Sequence, residues 1–280
     1  MNPGARTYLF VPGDRPERFD KALASGADAV VLDLEDAVAS SDKSRARDAV
    51  AQRLLGATPE ERARFVVRIN DESTPEFEAD LAMLRASHAA CVMLPKAERT
   101  ATLDRLRAAC PGIAVLALIE TARGVLQAEA LAEALAKASG VHRLVFGTID
   151  FALDLNLSGD PLGFDHAASR LALASRAAGL EAPVAGVTPE IADPAPLLAD
   201  LQRARAHGFG AKLCIHPKQV AAVHDALRPS AAETDWARRV IAAARSAHGA
   251  VQVDGRMVDK PVLQRAHALL ARALLARTAR

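Results

Sequence analysis

Along this chain short apolar runs alternate with longer polar stretches in which apolar residues recur at helical spacing. Two runs stand out: Val115-Leu116-Ala117-Leu118-Ile119-Glu120-Thr121 and Leu144-Val145-Phe146-Gly147-Thr148-Ile149-Asp150. Each is apolar on both alternating faces, the pattern of a parallel strand covered on two sides, and each ends in an acid where strand is expected to yield to loop. Six more runs, at 7–11, 29–34, 65–69, 91–94, 184–187 and 211–215, read as strands. The stretches between them predict helices from near Pro16, over 43–55, from near Pro75, and over 100–109, 125–137, 164–178, 196–207 and 218–227. Pro16 suits a first helical turn and Gly179 the position just past a helix end. Eight strand–helix repeats in this length predict an α/β fold, a (β/α)₈ TIM barrel over 1–229. Residues 230–280 lie outside the repeats and read as a C-terminal helical extension: a helix over 231–247, a glycine-containing loop over 253–259 and a last helix from Pro261. That extension is either a lid or a strap packed on a neighbouring subunit.

Composition narrows the function classes. With 280 residues, half of them apolar, the chain can bury a large core. A formal net charge of +1 gives no field of one sign, so nucleic acid and acidic membranes are not expected partners. No apolar stretch is long enough to span a bilayer, and the first residues lack a signal-peptide core. Cys91, Cys110 and Cys214 have no paired spacing and read as buried thiols. A soluble, cytoplasmic protein is the expectation.

In a barrel of this kind the strands' C-terminal ends share one mouth. Asp33, Glu35, Asp36, Arg68, Asn70, Lys96, Glu120, Asp150 and His216 all fall there. Glu120 and Asp150 end neighbouring buried strands, and unpaired carboxylates in such places need a cation. Oxygen ligands favour a hard ion, Mg²⁺ above all, although salt bridges to mouth arginines are the structural alternative. Gly147 permits close approach beside Asp150. In the Asp33-Leu34-Glu35-Asp36 cluster, alternation aims Asp33 and Glu35 one way and Asp36 the other. One acid there is expected to hold metal-bound water and another to pair with arginine, which makes Glu35 and Asp36 supporting groups. Arg68 has no acid close by in sequence before Asp71, and its planar fork suits a substrate carboxylate. Lys96 and Lys212 offer Schiff-base chemistry, a route that the metal pair makes redundant. His216 reads as a histidine hydrogen-bonded into the mouth.

Seven stretches in one order carry a resemblance: Arg6-Thr7-Tyr8-Leu9-Phe10-Val11-Pro12-Gly13, Asp33-Leu34-Glu35-Asp36-Ala37-Val38, Val67-Arg68-Ile69-Asn70, Leu94-Pro95-Lys96, Leu118-Ile119-Glu120-Thr121, Phe146-Gly147-Thr148-Ile149-Asp150 and Cys214-Ile215-His216-Pro217-Lys218-Gln219. Together they resemble the citrate lyase β-subunit-like and malyl-CoA lyase family of the HpcH/HpaI aldolase superfamily, over nearly the whole chain. The resemblance implies a TIM barrel with Mg²⁺ on Glu120 and Asp150, with Glu120 and Arg68 at the substrate. It also implies a catalytic acid at Asp259, within Gly255-Arg256-Met257-Val258-Asp259, in a tail that covers the active site of an adjacent subunit in a homotrimer or hexamer. CoA would lie across the mouth, with Arg15, Arg18 and Lys21 as candidates for its phosphates. The implied reaction makes or cleaves a 3-hydroxyacyl-CoA of malyl, citramalyl or citryl type, giving acetyl-CoA or a homologue and a 2-oxo acid. A class II aldolase on free acids, a malyl-CoA thioesterase and an acyl-carrier-protein-dependent citrate lyase β subunit are the alternatives.

Overall fold

The computed structural model describes residues 4–246 and 251–278. The chain divides into two compact units, Met1–Val223 and His224–Arg280.

In the first unit, β1 (Thr7–Pro12), β2 (Ala29–Asp33), β3 (Phe65–Arg68), β4 (Cys91–Leu94), β5 (Ala114–Ile119), β6 (Arg143–Phe146), β7 (Val184–Ala185) and β8 (Ala211–Cys214) pair in parallel, in that order. β8 pairs back to β1, which closes the barrel. Alternate strand residues point inward, and Tyr8, Val31, Val66, Met93, Leu116, Val145 and Leu213 fill the interior. The β6 residue Arg143 closes the end opposite the mouth, donating to the carbonyls of Ala5 and Ala182, each at 2.7 Å. Carbonyl acceptors there satisfy the buried guanidinium.

The covering helices are α1 (Phe19–Leu23), α2 (Lys43–Leu55), α3 (Pro59–Arg64), α4 (Phe77–Ala86), α5 (Thr100–Ala109), α6 (Ala122–Leu126), α7 (Ala128–Ala136), α8 (Thr148–Asp154), α9 (Asp165–Ala177), α10 (Pro194–Ala206) and α11 (Pro217–Leu227). The barrel is therefore the fold expected from the periodicity, with three local differences. The helix expected over 125–137 is two helices, α6 and α7, broken at Gln127. α3 was not anticipated, although Thr58 and Glu61 form a reciprocal capping box around Pro59. The apolar run 144–150 is strand only as far as Phe146, and Thr148 already opens α8. Asp150 thus sits in the first turn of a helix and not at a strand end, a place where the helix dipole favours a negative charge.

The second unit contains α12 (Ala231–Ser246), β9 (Val251–Val253), β10 (Arg256–Val258) and α13 (Lys260–Thr278). Ala237, Val240, Ile241, Ala266 and Leu269 form its core. The Arg265 guanidinium lies 5.4 Å from the centre of the Trp236 ring. The expected loop over 253–259 is instead a β-hairpin, β9 pairing antiparallel with β10. Its turn residues Asp254 and Gly255 have φ of 53° and 74°, the left-handed pair that an Asp-Gly turn supplies. Among the described residues no helix is long and apolar enough to cross a membrane.

Candidate active site

Strand register places the first pair of charges. Asp33 and Arg68 are the last residues of β2 and β3 and stand opposite each other in the ladder. Arg68 donates from Nε to Asp33 Oδ1 at 2.7 Å and from Nη2 to Oδ2 at 2.6 Å, a two-point fork. Asp33 also accepts from the backbone N–H groups of Glu35, at 2.9 Å, and Ala37, at 3.2 Å. The carboxylate is thereby fixed, and it fixes the guanidinium plane. Nη1 faces Glu35 Oε2 at 2.8 Å, as an ion pair without an aligned N–H, and donates to Asp36 at 3.3 Å. Asp36 is 63% exposed, so that last contact is the weak one. The Phe10 ring lies 4.9 Å from the guanidinium carbon. All three acids of the cluster therefore meet one arginine. The expected split by alternation fails because β2 ends at Asp33 and the following residues turn out of the strand.

Glu120 follows β5 and is 2% exposed. Its Oε1 accepts the backbone N–H of Lys96 at 2.8 Å, which leaves Oε2 for another partner. Lys96 offers that N–H from a left-handed backbone, φ 43°, an uncommon conformation for a residue with a side chain. Gly147 then passes Glu120 so closely that a β-carbon on it would lie 2.5 Å from Glu120 Cβ and 2.6 Å from Oε2. With φ at −85° the backbone itself is ordinary, and space alone demands glycine. Gly147→Ala is accordingly expected to cost about 1–3 kcal/mol of stability and to turn the Glu120 carboxylate away. A denaturant titration checks this, and an unchanged midpoint would mean the cradle is loose.

Burial raises Glu120 to about 8, helped by the nearby charges of Glu35 and Asp150 and opposed by the Lys96 N–H. Burial likewise lifts Glu35 to about 7, against the attraction of Arg68. Three acids therefore gather at this point with less positive charge than they need, the condition that a bound cation relieves. The folded protein keeps protons that the unfolded chain releases near 4.5, so stability present below that pH is lost as pH rises toward about 8. In the presence of a chelator the melting temperature is expected to fall across this window, and Glu120→Gln to flatten the fall. Identical pH profiles for the two proteins would contradict this electrostatic picture.

The remaining residues predicted from sequence take varied places. Asn70 donates twice to Asp80, at 2.8 and 2.7 Å, and Arg47 holds the other oxygen of Asp80, so Asn70 is part of a structural brace. The Lys96 amine lies 3.8 Å from Glu35 at the mouth. His216 accepts through Nδ1 from the Lys218 N–H, at 3.2 Å, at the start of α11. Lys212 is buried with its amine on the Gly186 carbonyl. Arg15 and Arg18 are exposed beside Asp14 and Glu17, and Lys21 is exposed on α1. Asp259 belongs to the second unit, where it is exposed and accepts from the Val262 N–H at 3.0 Å, capping α13. Asp33 was not singled out from sequence as the partner of Arg68. The signal was present, since both residues close adjacent strands.

Asp33, Asp36, Arg68, Glu120, Gly147 and Asp150 line one cavity of about 390 Å³, with Phe10 and Leu213 on its apolar side. Among the described residues no three His, Cys, Asp or Glu side chains form a ready metal cluster. Residues 6–217 match the model of the HpcH/HpaI aldolase/citrate lyase family. This chain belongs to that family. It is thereby a member of a superfamily of carbon–carbon lyases, and residues 172–277 also match a model for carbon–carbon bond lyases of the TIM-barrel fold. A citrate lyase subunit β-like protein of Mycobacterium tuberculosis is 41% identical over 273 residues, covering 95% of this chain and 94% of the relative. A (3S)-malyl-CoA thioesterase of Cereibacter sphaeroides is 35% identical over 274 residues, covering 96% and 94%. The crystal structure of the M. tuberculosis protein CitE with magnesium, acetoacetate and coenzyme A superposes with a TM-score of 0.82 at 39% identity, covering 97% of this chain and 99% of that one.

Proposed function

We propose that the barrel mouth catalyses reversible, Mg²⁺-dependent cleavage of a 3-hydroxyacyl-CoA into acetyl-CoA or a homologue and a 2-oxo acid. One observation carries the reading: a buried Glu120 short of positive charge shares a cavity with Asp150 and with an arginine locked by Asp33. The related CitE structure holding magnesium, acetoacetate and coenzyme A supports it.

The donor set suits Mg²⁺, which commonly takes only one or two protein carboxylates and fills its octahedron with water and substrate. Glu120 and Asp150 would hold the ion, which supplies Lewis-acid charge at the oxygens of the oxo acid. Glu35 and Asp36 would hold its waters and the edge of Arg68. Arg68 keeps two N–H groups on Asp33, and Nη1 is the edge that a substrate oxygen takes by displacing the exposed Asp36. In cleavage a water at the mouth takes the hydroxyl proton, the freed O–H electrons form the carbonyl of the 2-oxo acid, the electrons of the breaking carbon–carbon bond pass to the thioester α-carbon, and protonated Asp259 of a neighbouring subunit delivers its proton to that carbon. In condensation Asp259 removes it. A trimer or hexamer is the assembly in which the tail would reach a neighbouring mouth.

Incubation with malyl-, citramalyl- and citryl-CoA and Mg²⁺ tests the reading, with a 2-oxo acid and a shortened acyl-CoA as the expected products. Asp259→Asn keeps an α13 cap and removes the base, so turnover is expected to fall about a hundredfold or more with CoA-ester binding retained. Full turnover in that variant would reduce Asp259 to a helix cap. The thioesterase relative favours a second reading, hydrolysis of the thioester, which is recognised by free CoA and the hydroxy acid appearing with no 2-oxo acid.

A further inference from the structure

A second chamber, of about 420 Å³, lies in the first unit outside the barrel interior, against β6, β7 and β8 and among α8, α9 and α10. Its walls are mostly apolar: Phe146, Ile149, Phe164, Phe209 and Val187 supply much of the surface. Neighbouring Leu213 points into the barrel core, so Lys212 on β8 projects the other way, into this chamber. Lys212 is 2% exposed, and it is the only charged lining residue that is fully buried. An ammonium carries three N–H donors. One goes to the Gly186 carbonyl, and no carboxylate among the described residues stands within ion-pair distance to take another.

The other charges of the wall are occupied or wet. Asp165 accepts from Arg203 at 2.8 Å and faces His207 at 2.9 Å. Asp200 is exposed, accepts from the Thr188 hydroxyl at 2.5 Å, and attracts the Lys212 ammonium only from beyond ion-pair distance. A buried cation with unspent donors in an apolar chamber is costly unless an anion joins it. The volume falls within the roughly 300–1,000 Å³ typical of small-ligand clefts. Burial also lowers the amine to about 8, which still leaves it mostly protonated at neutral pH, where a carboxylate would hold it charged.

We infer that this chamber is a binding site for a monocarboxylate with a compact apolar body, a medium-chain or aryl acid, its carboxylate on Lys212 and its carbon skeleton among the phenylalanines. The chamber adjoins the barrel mouth across Thr148, Ile149 and Val187, and the inference does not depend on the lyase reading. Thr148 and Ile149 line both cavities, so a ligand here would rest against the turn that carries Asp150.

Calorimetric titration with octanoate, in chelator, tests it, with octanol as the uncharged control. Saturable octanoate binding is expected, at least about tenfold tighter than octanol, and Lys212→Met is expected to erase the difference. Ala168→Phe, which fills the chamber and leaves the lysine, is expected to abolish binding of both probes and guards against a Lys212 variant that fails to fold. Glu120→Ala, altered only at the mouth, is expected to bind octanoate like the wild type. No saturable binding by the wild-type protein, binding that survives both chamber substitutions, or binding lost with Glu120 would each overturn the inference.

Discussion

Glu120→Ala is expected to lower lyase turnover by about three orders of magnitude or more while leaving the protein as stable as the wild type, or slightly more so. The two halves of this expectation have one cause. Glu120 is buried beside Glu35 and Asp150, and its ionised form is held at a cost that only a cation offsets. Removing the carboxylate deletes that cost, and the lost hydrogen bond from the Lys96 N–H, worth about 1 kcal/mol, works in the opposite direction. A steady-state assay with a denaturant titration on the same preparation checks both. Turnover within about tenfold of the wild type would show that Glu120 serves the fold and not the reaction.

Arg68→Met is expected to damage both stability and activity. It strips from Asp33 and Glu35, both buried, the only guanidinium that pairs with them among the described residues, and deleting one partner of such a set typically costs about 3–5 kcal/mol. Turnover should fall by about two to three orders of magnitude, because the edge of charge offered to the substrate goes with it. Arg68→Lys restores a charge without the two-point fork, so it should recover part of the stability and little of the activity. If Arg68→Met unfolded at the wild-type midpoint, the three acids would be shown to hold one another by protonation, without the arginine.

Much of this arrangement was legible in the residue pattern. Runs such as Val115 to Ile119, apolar at every position, suit a parallel strand covered on both faces, and β5 takes that place between the barrel interior and its helices. The acid at the end of that run was legible for the same reason. Asp150 was placed correctly in the mouth and wrongly on a strand, because Thr148-Ile149-Asp150 continues an apolar run and periodicity alone cannot tell a short strand from a first helical turn. The Arg68–Asp33 fork was not read, since it depends on the register of two strands separated by 35 positions in sequence. The left-handed Lys96 and the space reserved at Gly147 are likewise products of packing between segments. Asp254-Gly255 did carry a local hairpin signal, but the flanking strands Val251–Val253 and Arg256–Val258 are three residues each, too short for alternation to mark them.

We propose that Glu120 and Asp150 together hold one divalent ion at the barrel mouth. Anomalous diffraction from a crystal soaked with Mn²⁺, a scattering substitute for Mg²⁺, tests it most directly. A single strong peak is expected between the two carboxylates, absent from Glu120→Ala crystals. A peak at any other site, or none between Glu120 and Asp150 in crystals of an enzyme that still requires Mg²⁺ in solution, would contradict it.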